Sequence, residues 1–179
     1  SLVGDIENLT RDFLFEEIQL PSGQSIDLFD TAGLEGQGPF SQDIEHMTLQ
    51  FLESVNLCLL VLDASVGILD EDIRLYRKLK QHAICVQILW NKIDLADPNV
   101  FFNAYKLTNQ SYFTVQALCS DSTKSLLEKI SVQINDSKTN LAPSNNEEDS
   151  KIFGFFGRPN VGKSSLSNLI AQKRNRFLV

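Results

Sequence analysis

Eight residues near the end of the chain have the spacing of a loop that binds phosphate groups. Residues 157–164, GRPNVGKS, match the pattern GxxxxGK[ST] between a predicted strand and a predicted helix. The two glycines allow backbone N–H groups to point at a β-phosphate, and the helix adds the positive end of its dipole. Lys163 can reach the β- and γ-phosphates, and the Ser164 hydroxyl can coordinate Mg²⁺. The residues predicted to bind a nucleotide in this segment and directly after it are Gly157, Asn160, Val161, Gly162, Lys163, Ser164 and Ser165.

A second polar group, NKID at 91–94, directly follows an apolar run. The carboxylate of Asp94 can accept hydrogen bonds from N1–H and the exocyclic amine of guanine, whereas adenine would leave it desolvated and unpaired. Asn91 would support the phosphate-binding loop, and the stem of Lys92 would cover the base. The backbone N–H groups of Ala117 and Leu118, after another predicted strand, are further candidates for contact with the base.

Candidate ligands for Mg²⁺ and the γ-phosphate lie near the start of the chain. Asp30 ends a predicted strand and can hold the hydration shell of Mg²⁺, and the N–H of Gly33 can meet a γ-phosphate as its loop closes. Thr10 can supply a second hydroxyl to the metal, although a simple turn threonine is an equal alternative. Leu34 follows Gly33, and an apolar side chain cannot orient an attacking water.

The elements that must position these residues alternate between strand and helix patterns, which predicts an α/β fold with a mainly parallel sheet covered on both faces. The turn Pro21-Ser22-Gly23 joins the first two strands, and this pattern predicts a β-hairpin. The predicted strands are 13–20, 25–30, 57–63, 84–90, 112–116 and 151–156. The predicted helices are 41–54, 70–81, 98–106, 122–134 and 163–172.

Composition excludes several classes of protein. The net charge of −7 argues against broad binding to nucleic acid or to an anionic membrane, yet permits a small phosphate pocket. No apolar run approaches the roughly 20 residues of a membrane span. Cys58 and Cys85 lie in apolar runs, and the three cysteines form no CxxC pair, so we expect free thiols in a reducing cytoplasm.

Four motifs together resemble a known family. GRPNVGKSSL, LTRD, DTAGL and NKIDL are similar to those of the bacterial GTPases of the TrmE–Era–EngA–EngB group, most closely the EngA (Der) type, with the tRNA-modification type MnmE next. The resemblance covers roughly residues 5–130 and 151–179. Two positions depart from it: Gln116 stands where the family has serine, and Asn8-Leu9 replace the usual small residues before the TRD.

The resemblance implies a P-loop GTPase G domain with a six-stranded sheet, binding GTP or GDP with Mg²⁺ and hydrolysing GTP slowly. It also implies a ribosome partner for the parent protein, and it matches Asn160 to the asparagine that coordinates K⁺ in potassium-activated members. The predicted catalytic residues are thus Lys163, Asn160, Thr10 and Gly33, and the predicted metal ligands are Ser164, Thr10 and Asp30.

The order of the motifs differs from that of an ordinary G domain, because the phosphate-binding loop comes last. We expect a body at 1–134, a flexible polar linker at 135–150, and a terminal segment at 151–179 whose strand returns to the middle of the same sheet. This circularly permuted order has two explanations: a stretch running from one G domain of a tandem pair into the next, or an engineered single domain. The linker can span up to roughly 50 Å, so a monomer or a segment-swapped dimer can form.

Two other functions compete with a GTPase. A module that binds GDP without switching is one, because Thr10 stands near the beginning of the chain. An ATP-dependent enzyme is the other, and Asn91 and Asp94 oppose it. The sequence indicates no membrane segment and no direct nucleic-acid site, and the basic cluster Lys173, Arg174 and Arg176 is explained by a solvated helix end.

Overall fold

The computed structural model describes residues 15–30, 55–82, 85–97, 99, 111–117, 119–136 and 151–171. The predicted helices at 41–54 and 98–106 fall outside these ranges apart from Asn99, as do Thr10, Gly33, Leu118 and most of the predicted linker. Within the described ranges, no helix is both long and apolar enough to cross a membrane.

The described elements form one six-stranded sheet with helices on both faces, and this confirms the predicted α/β fold. The strands are β1 Phe15–Gln19, β2 Ser25–Asp30, β3 Leu57–Asp63, β4 Val86–Asn91, β5 Tyr112–Thr114 and β6 Lys151–Phe156. The helices are α1 Asp70–His82, the 3₁₀ helix Ile93–Leu95, α2 Ser120–Asp136 and α3 Lys163–Ile170. The spatial order is β1-β2-β6-β3-β4-β5, with β1 antiparallel to β2 and every other neighbouring pair parallel.

The last strand in the chain, β6, lies between β2 and β3, as expected for the terminal segment. It pairs with both neighbours in parallel, so its backbone groups on both sides are satisfied within the sheet. Its side chains alternate between the two faces: Phe153 and Phe155 pack on one side and Phe156 on the other, all of them buried. The sheet would therefore be interrupted at its centre without this strand.

The two apolar faces of the sheet are covered by different helices. On one face, Leu126 and Ile130 of α2 and Leu166 and Ile170 of α3 join the core. On the other face, the contacts come from Tyr76 and Leu79 of α1. Because β3 and β4 are covered on both sides, every residue in them is buried, which explains their nearly continuous apolar sequences.

Several boundaries differ from the predictions by one or two residues. The clearest case is β5, which ends at Thr114 rather than at 116. It is an edge strand next to β4. The N–H of Val115 still donates to the carbonyl of Trp90 at 2.7 Å, so one backbone hydrogen bond between the two segments lies beyond the last strand residue. In the helix α2, the ordered turns extend beyond the predicted 122–134 at both ends.

The three cysteines are free thiols. Cys58 is fully buried in β3, and this burial raises its pKa to about 12. Cys85 is only partly buried, and burial also raises its pKa. A buried thiol with a raised pKa stays protonated, so we expect Cys58 to be an unreactive core residue.

Candidate nucleotide-binding site

The candidate site lies at the edge of the sheet where the parallel strands end. Four strands lie side by side there in the order β2-β6-β3-β4, and their last residues are Asp30, Phe156, Asp63 and Asn91. In open α/β sheets, the loops beyond the carboxyl ends of the strands form the ligand site. The phosphate loop, defined as residues 157–164, leaves β6 at the middle of this edge.

The backbone of the phosphate loop requires glycine at both of its glycine positions. Gly157 has φ of +148°, and a Cβ there would lie 2.5 Å from the carbonyl oxygen of Val61 in β3. Gly162 has φ of +98°, and a Cβ there would collide with the side-chain amide of Asn91. Asn160 also adopts a left-handed conformation, with φ of 64°. The loop is thus pressed closely against β3 and β4, with backbone turns that ordinary side chains would strain.

Lys163, at the start of α3, is buried and its side chain folds back across the phosphate loop. Its Nζ donates to the carbonyl oxygens of Gly157 and Arg158, both at 2.8 Å. These contacts hold the ammonium group over the loop, where it can attract phosphate oxygens. Ser164 is buried beside it. No side chain caps α3 at Gly162, which leaves the first-turn N–H groups of this helix without a side-chain acceptor there.

Asn91 connects the phosphate loop to the segment after β5. Its Nδ2 donates to the carbonyl oxygen of Val161 at 2.8 Å, and its Oδ1 accepts from the N–H of Ala117 at 3.1 Å. The residue is buried, so both hydrogen bonds are shielded from water. The N–H of Ala117, predicted to contact the base, is directed to Asn91 in this structure, and Ala117 contributes by fixing that side chain.

Lys92 and Asp94 follow Asn91 at the mouth of the site. Lys92 has a left-handed backbone, with φ of 59°, and its Nζ donates to the carbonyl oxygen of Asn160 at 3.0 Å. This contact draws its stem across the edge of the phosphate loop. Asp94 lies in the 3₁₀ helix Ile93–Leu95 and is exposed, so its carboxylate is accessible to a ligand.

Asp63, at the end of β3, was not among the predicted site residues. Its Oδ2 accepts from Nζ of Lys92 at 2.5 Å, and its Oδ1 accepts from the backbone N–H of Ser65 at 2.9 Å and from its hydroxyl. Burial raises the pKa of Asp63, but the hydrogen bonds from Lys92 and Ser65 outweigh it and hold the pKa below its ordinary value of 3.8. Its place at the carboxyl end of an apolar strand, like that of Asn91, was the signal that could have found it.

Not every predicted ligand of Mg²⁺ is described. For Asp30 the structure gives the backbone at the end of β2, and Thr10 and Gly33 lie outside the described ranges. The chemistry of the candidate donors fits Mg²⁺, because hydroxyl and carboxylate oxygens are its preferred protein ligands. Across the described part of the chain, no three His, Cys, Asp or Glu residues cluster as a metal cage. Mg²⁺ at a phosphate site commonly uses only one or two protein oxygens, so a cage of three such residues is not required for it.

Comparison with solved structures gives a weak likeness. The chain aligns with YjeQ from Thermotoga maritima with a TM-score of 0.42 and 15% sequence identity, over 87% of this chain and 64% of that one.

Comparison with curated proteins and family models gives clearer matches. The chain is 29% identical over 182 residues to the GTPase Der of Mycoplasmopsis pulmonis, and 31% identical over 181 residues to that of Ligilactobacillus salivarius. Both matches cover 100% of this chain but 39% and 40% of the relatives, so the chain spans about two fifths of their length. The family model described as 50S ribosome-binding GTPase matches residues 1–92, more than half of the chain. The chain therefore belongs to the 50S ribosome-binding GTPase family.

Proposed function

We propose that this chain binds GTP and GDP together with Mg²⁺ and hydrolyses GTP slowly. The observation that carries the proposal is the pair of buried hydrogen bonds made by Asn91. One of them joins the NKID motif to the phosphate loop across 70 residues of sequence, so the group that would read the base and the group that would hold the phosphates belong to one site. Membership of a GTPase family supports the same ligand.

Catalysis in such a site consists of positioning and charge neutralisation rather than covalent chemistry. Lys163, already over the loop carbonyls, would hold the β- and γ-phosphates, and the N–H groups at the start of α3 would donate hydrogen bonds to the oxygens of a β-phosphate. Mg²⁺, held by Ser164 with Thr10 and Asp30, would neutralise charge on the phosphate oxygens. Gly33 would offer its N–H to the γ-phosphate. Leu34 cannot orient the attacking water, and this favours slow intrinsic turnover.

Guanine selectivity tests the proposal through Asp94. Asp94→Asn removes the carboxylate that would accept two hydrogen bonds from guanine, each worth about 1.5–3 kcal/mol when one partner is charged. We expect GDP affinity to fall by about 100- to 10,000-fold. The affinity for xanthosine diphosphate should rise, because its C2 oxygen suits an amide donor. Isothermal titration calorimetry with both nucleotides measures the two changes.

The matched control for this test is Asp97→Asn. Asp97 is also exposed and lies three positions further along, and its Oδ1 accepts from the backbone N–H and the side-chain amide of Asn99. This control should bind GDP like the unmodified chain. If Asp94→Asn binds GDP as tightly as the control does, Asp94 is not in the base site.

We also infer a K⁺ site that uses Asn160, since the family resemblance matches this residue to a potassium ligand. A monovalent cation beside the phosphates would offset charge that develops during hydrolysis. We expect GTP turnover to be slightly faster in K⁺ than in Na⁺, and Asn160→Gly to lose the difference. Glycine keeps the left-handed backbone of position 160, so the carbonyl that accepts from Lys92 is retained. Equal rates in both salts would instead favour a module that binds GDP without turnover.

For the longer protein, we infer action on the large ribosomal subunit in the cytoplasm. The description of the family supports this partner. The matches to both Der relatives run through the body, 1–134, and the terminal segment, 151–179, in one linear order. That shared order favours a stretch between two successive G domains over an engineered permutation.

A further inference from the structure

A buried ion pair connects the phosphate loop to the helix on the far side of the sheet. Nε of Arg158, the second residue of the loop, donates to Oδ1 of Asp72 in the first turn of α1 at 2.7 Å. The Asp72 side chain is 0% exposed and that of Arg158 13%. The second carboxylate oxygen of Asp72 accepts from the N–H of Leu69 at 2.9 Å. The carboxylate is therefore also bonded to the backbone just before its own helix begins.

Arg158 is bonded at the same time to the lysine of the site. While its side chain contacts Asp72, its backbone carbonyl accepts from Nζ of Lys163. A continuous series of hydrogen bonds thus leads from α1 through Arg158 to the ammonium group that would hold the phosphates. Asp72 and Arg158 are 86 residues apart, one in the body and the other in the terminal segment.

We expect the pair to fix the position of Arg158 and to add little to the free energy of unfolding. A buried pair recovers little net energy over apolar packing, but removing one partner leaves an uncompensated buried charge. That cost is high for Arg158, because its Nη2 is buried and has no hydrogen-bond partner in the described part of the chain. The hydrogen bond from Nε to Asp72 compensates the guanidinium in this position, where the backbone carbonyl of the same residue accepts from Lys163.

We infer that Asp72 and Arg158 form a positioning pair that sets the Arg158 carbonyl, and through it Lys163, for the β-phosphate. This inference rests on the proposed nucleotide site. It assigns a role in phosphate affinity to an acidic residue that does not reach the ligand, on the helix that follows β3.

The test compares GDP with GMP, which lacks the β-phosphate. Arg158→Gln and Asp72→Asn should each weaken GDP binding by about 10- to 100-fold, the usual range for residues coupled in one hydrogen-bond network. GMP, measured by competition at millimolar concentration, should change by less than about threefold, because its affinity does not depend on Lys163 and the β-phosphate. Arg158→Lys keeps the charge without the planar fork and should give an intermediate loss for GDP.

Arg74→Gln is the matched control, since this arginine is exposed on the same helix, α1. It should leave both affinities unchanged. Where a single variant does not fold, the double variant Asp72→Asn/Arg158→Gln removes both buried charges, and the same selective loss for GDP is expected. Unchanged GDP affinity, or equal losses for GDP and GMP, would overturn the positioning role. Failure of the unmodified chain to bind GDP would refute the proposed function instead.

Discussion

Removal of residues 151–179 is expected to unfold the rest of the chain, not merely to remove one ligand site. The deleted segment contains β6, which pairs on one side with β2 and on the other with β3. Its loss would leave two unpaired strand edges in the middle of the sheet. It would also remove α3, which covers part of one face.

The size of this effect follows from the buried side chains that the deletion removes. Each large apolar side chain contributes about 1.5–3 kcal/mol when fully buried. The buried apolar residues of the segment are Phe153, Phe155, Phe156, Val161, Leu166 and Ile170. Together they contribute at least about 9 kcal/mol, within the usual total stability of about 5–15 kcal/mol for a domain.

The truncated chain 1–134 is therefore expected to aggregate or to lack a cooperative thermal transition, as judged by circular dichroism and size-exclusion chromatography. The control keeps residues 1–134 and 151–179 and carries a protease site within 137–150. Cutting there should leave a folded complex, because the linker contributes only effective concentration. Addition of a 151–179 peptide to the truncated chain should restore part of the fold. A stable, monomeric 1–134 would show instead that β6 belongs to another domain.

Lys163→Ala is expected to abolish tight binding of GDP and GTP. The ammonium group would make charged hydrogen bonds to the phosphates, each worth about 1.5–3 kcal/mol, so the affinity should fall by at least about 100-fold. The variant also leaves the carbonyls of Gly157 and Arg158 without the donor that they share. We therefore expect the nucleotide-free protein to melt at a lower temperature too, and the loop to lose its shape.

Calorimetry separates these two effects, since the melting temperature is measured without ligand and the affinity at a temperature where both proteins are folded. Lys129→Ala, an exposed position on α2, is the control for loss of a positive charge. It should change neither quantity. Retention of GDP affinity in Lys163→Ala would exclude the phosphate loop as the binding site.

The sequence by itself determined the fold class and most of the elements. The runs LCLLVLD and ICVQILW are apolar except for Asp63 and Gln87, and short runs of this kind beside amphipathic helices indicate strands covered on both faces. The strands β2, β3 and β6 begin and end at the predicted residues, because turn residues or polar residues interrupt the pattern there. The phosphate loop was equally evident, since a local backbone shape needs glycine at fixed spacing.

Only the tertiary structure decided which side chains meet at the site. Asp63 contacts Lys92 across 29 residues, Asn91 contacts Val161 across 70, and Asp72 contacts Arg158 across 86. Contacts of this kind depend on strand order and on the depth at which each loop packs, and neither leaves a periodic trace in the sequence. The buried carboxylate of Asp72 shows the difference, because its sequence context predicts an ordinary acidic first turn of an exposed helix. In the folded chain Asp72 is buried, and β6, which lies beside β3, brings Arg158 to the same end of the sheet.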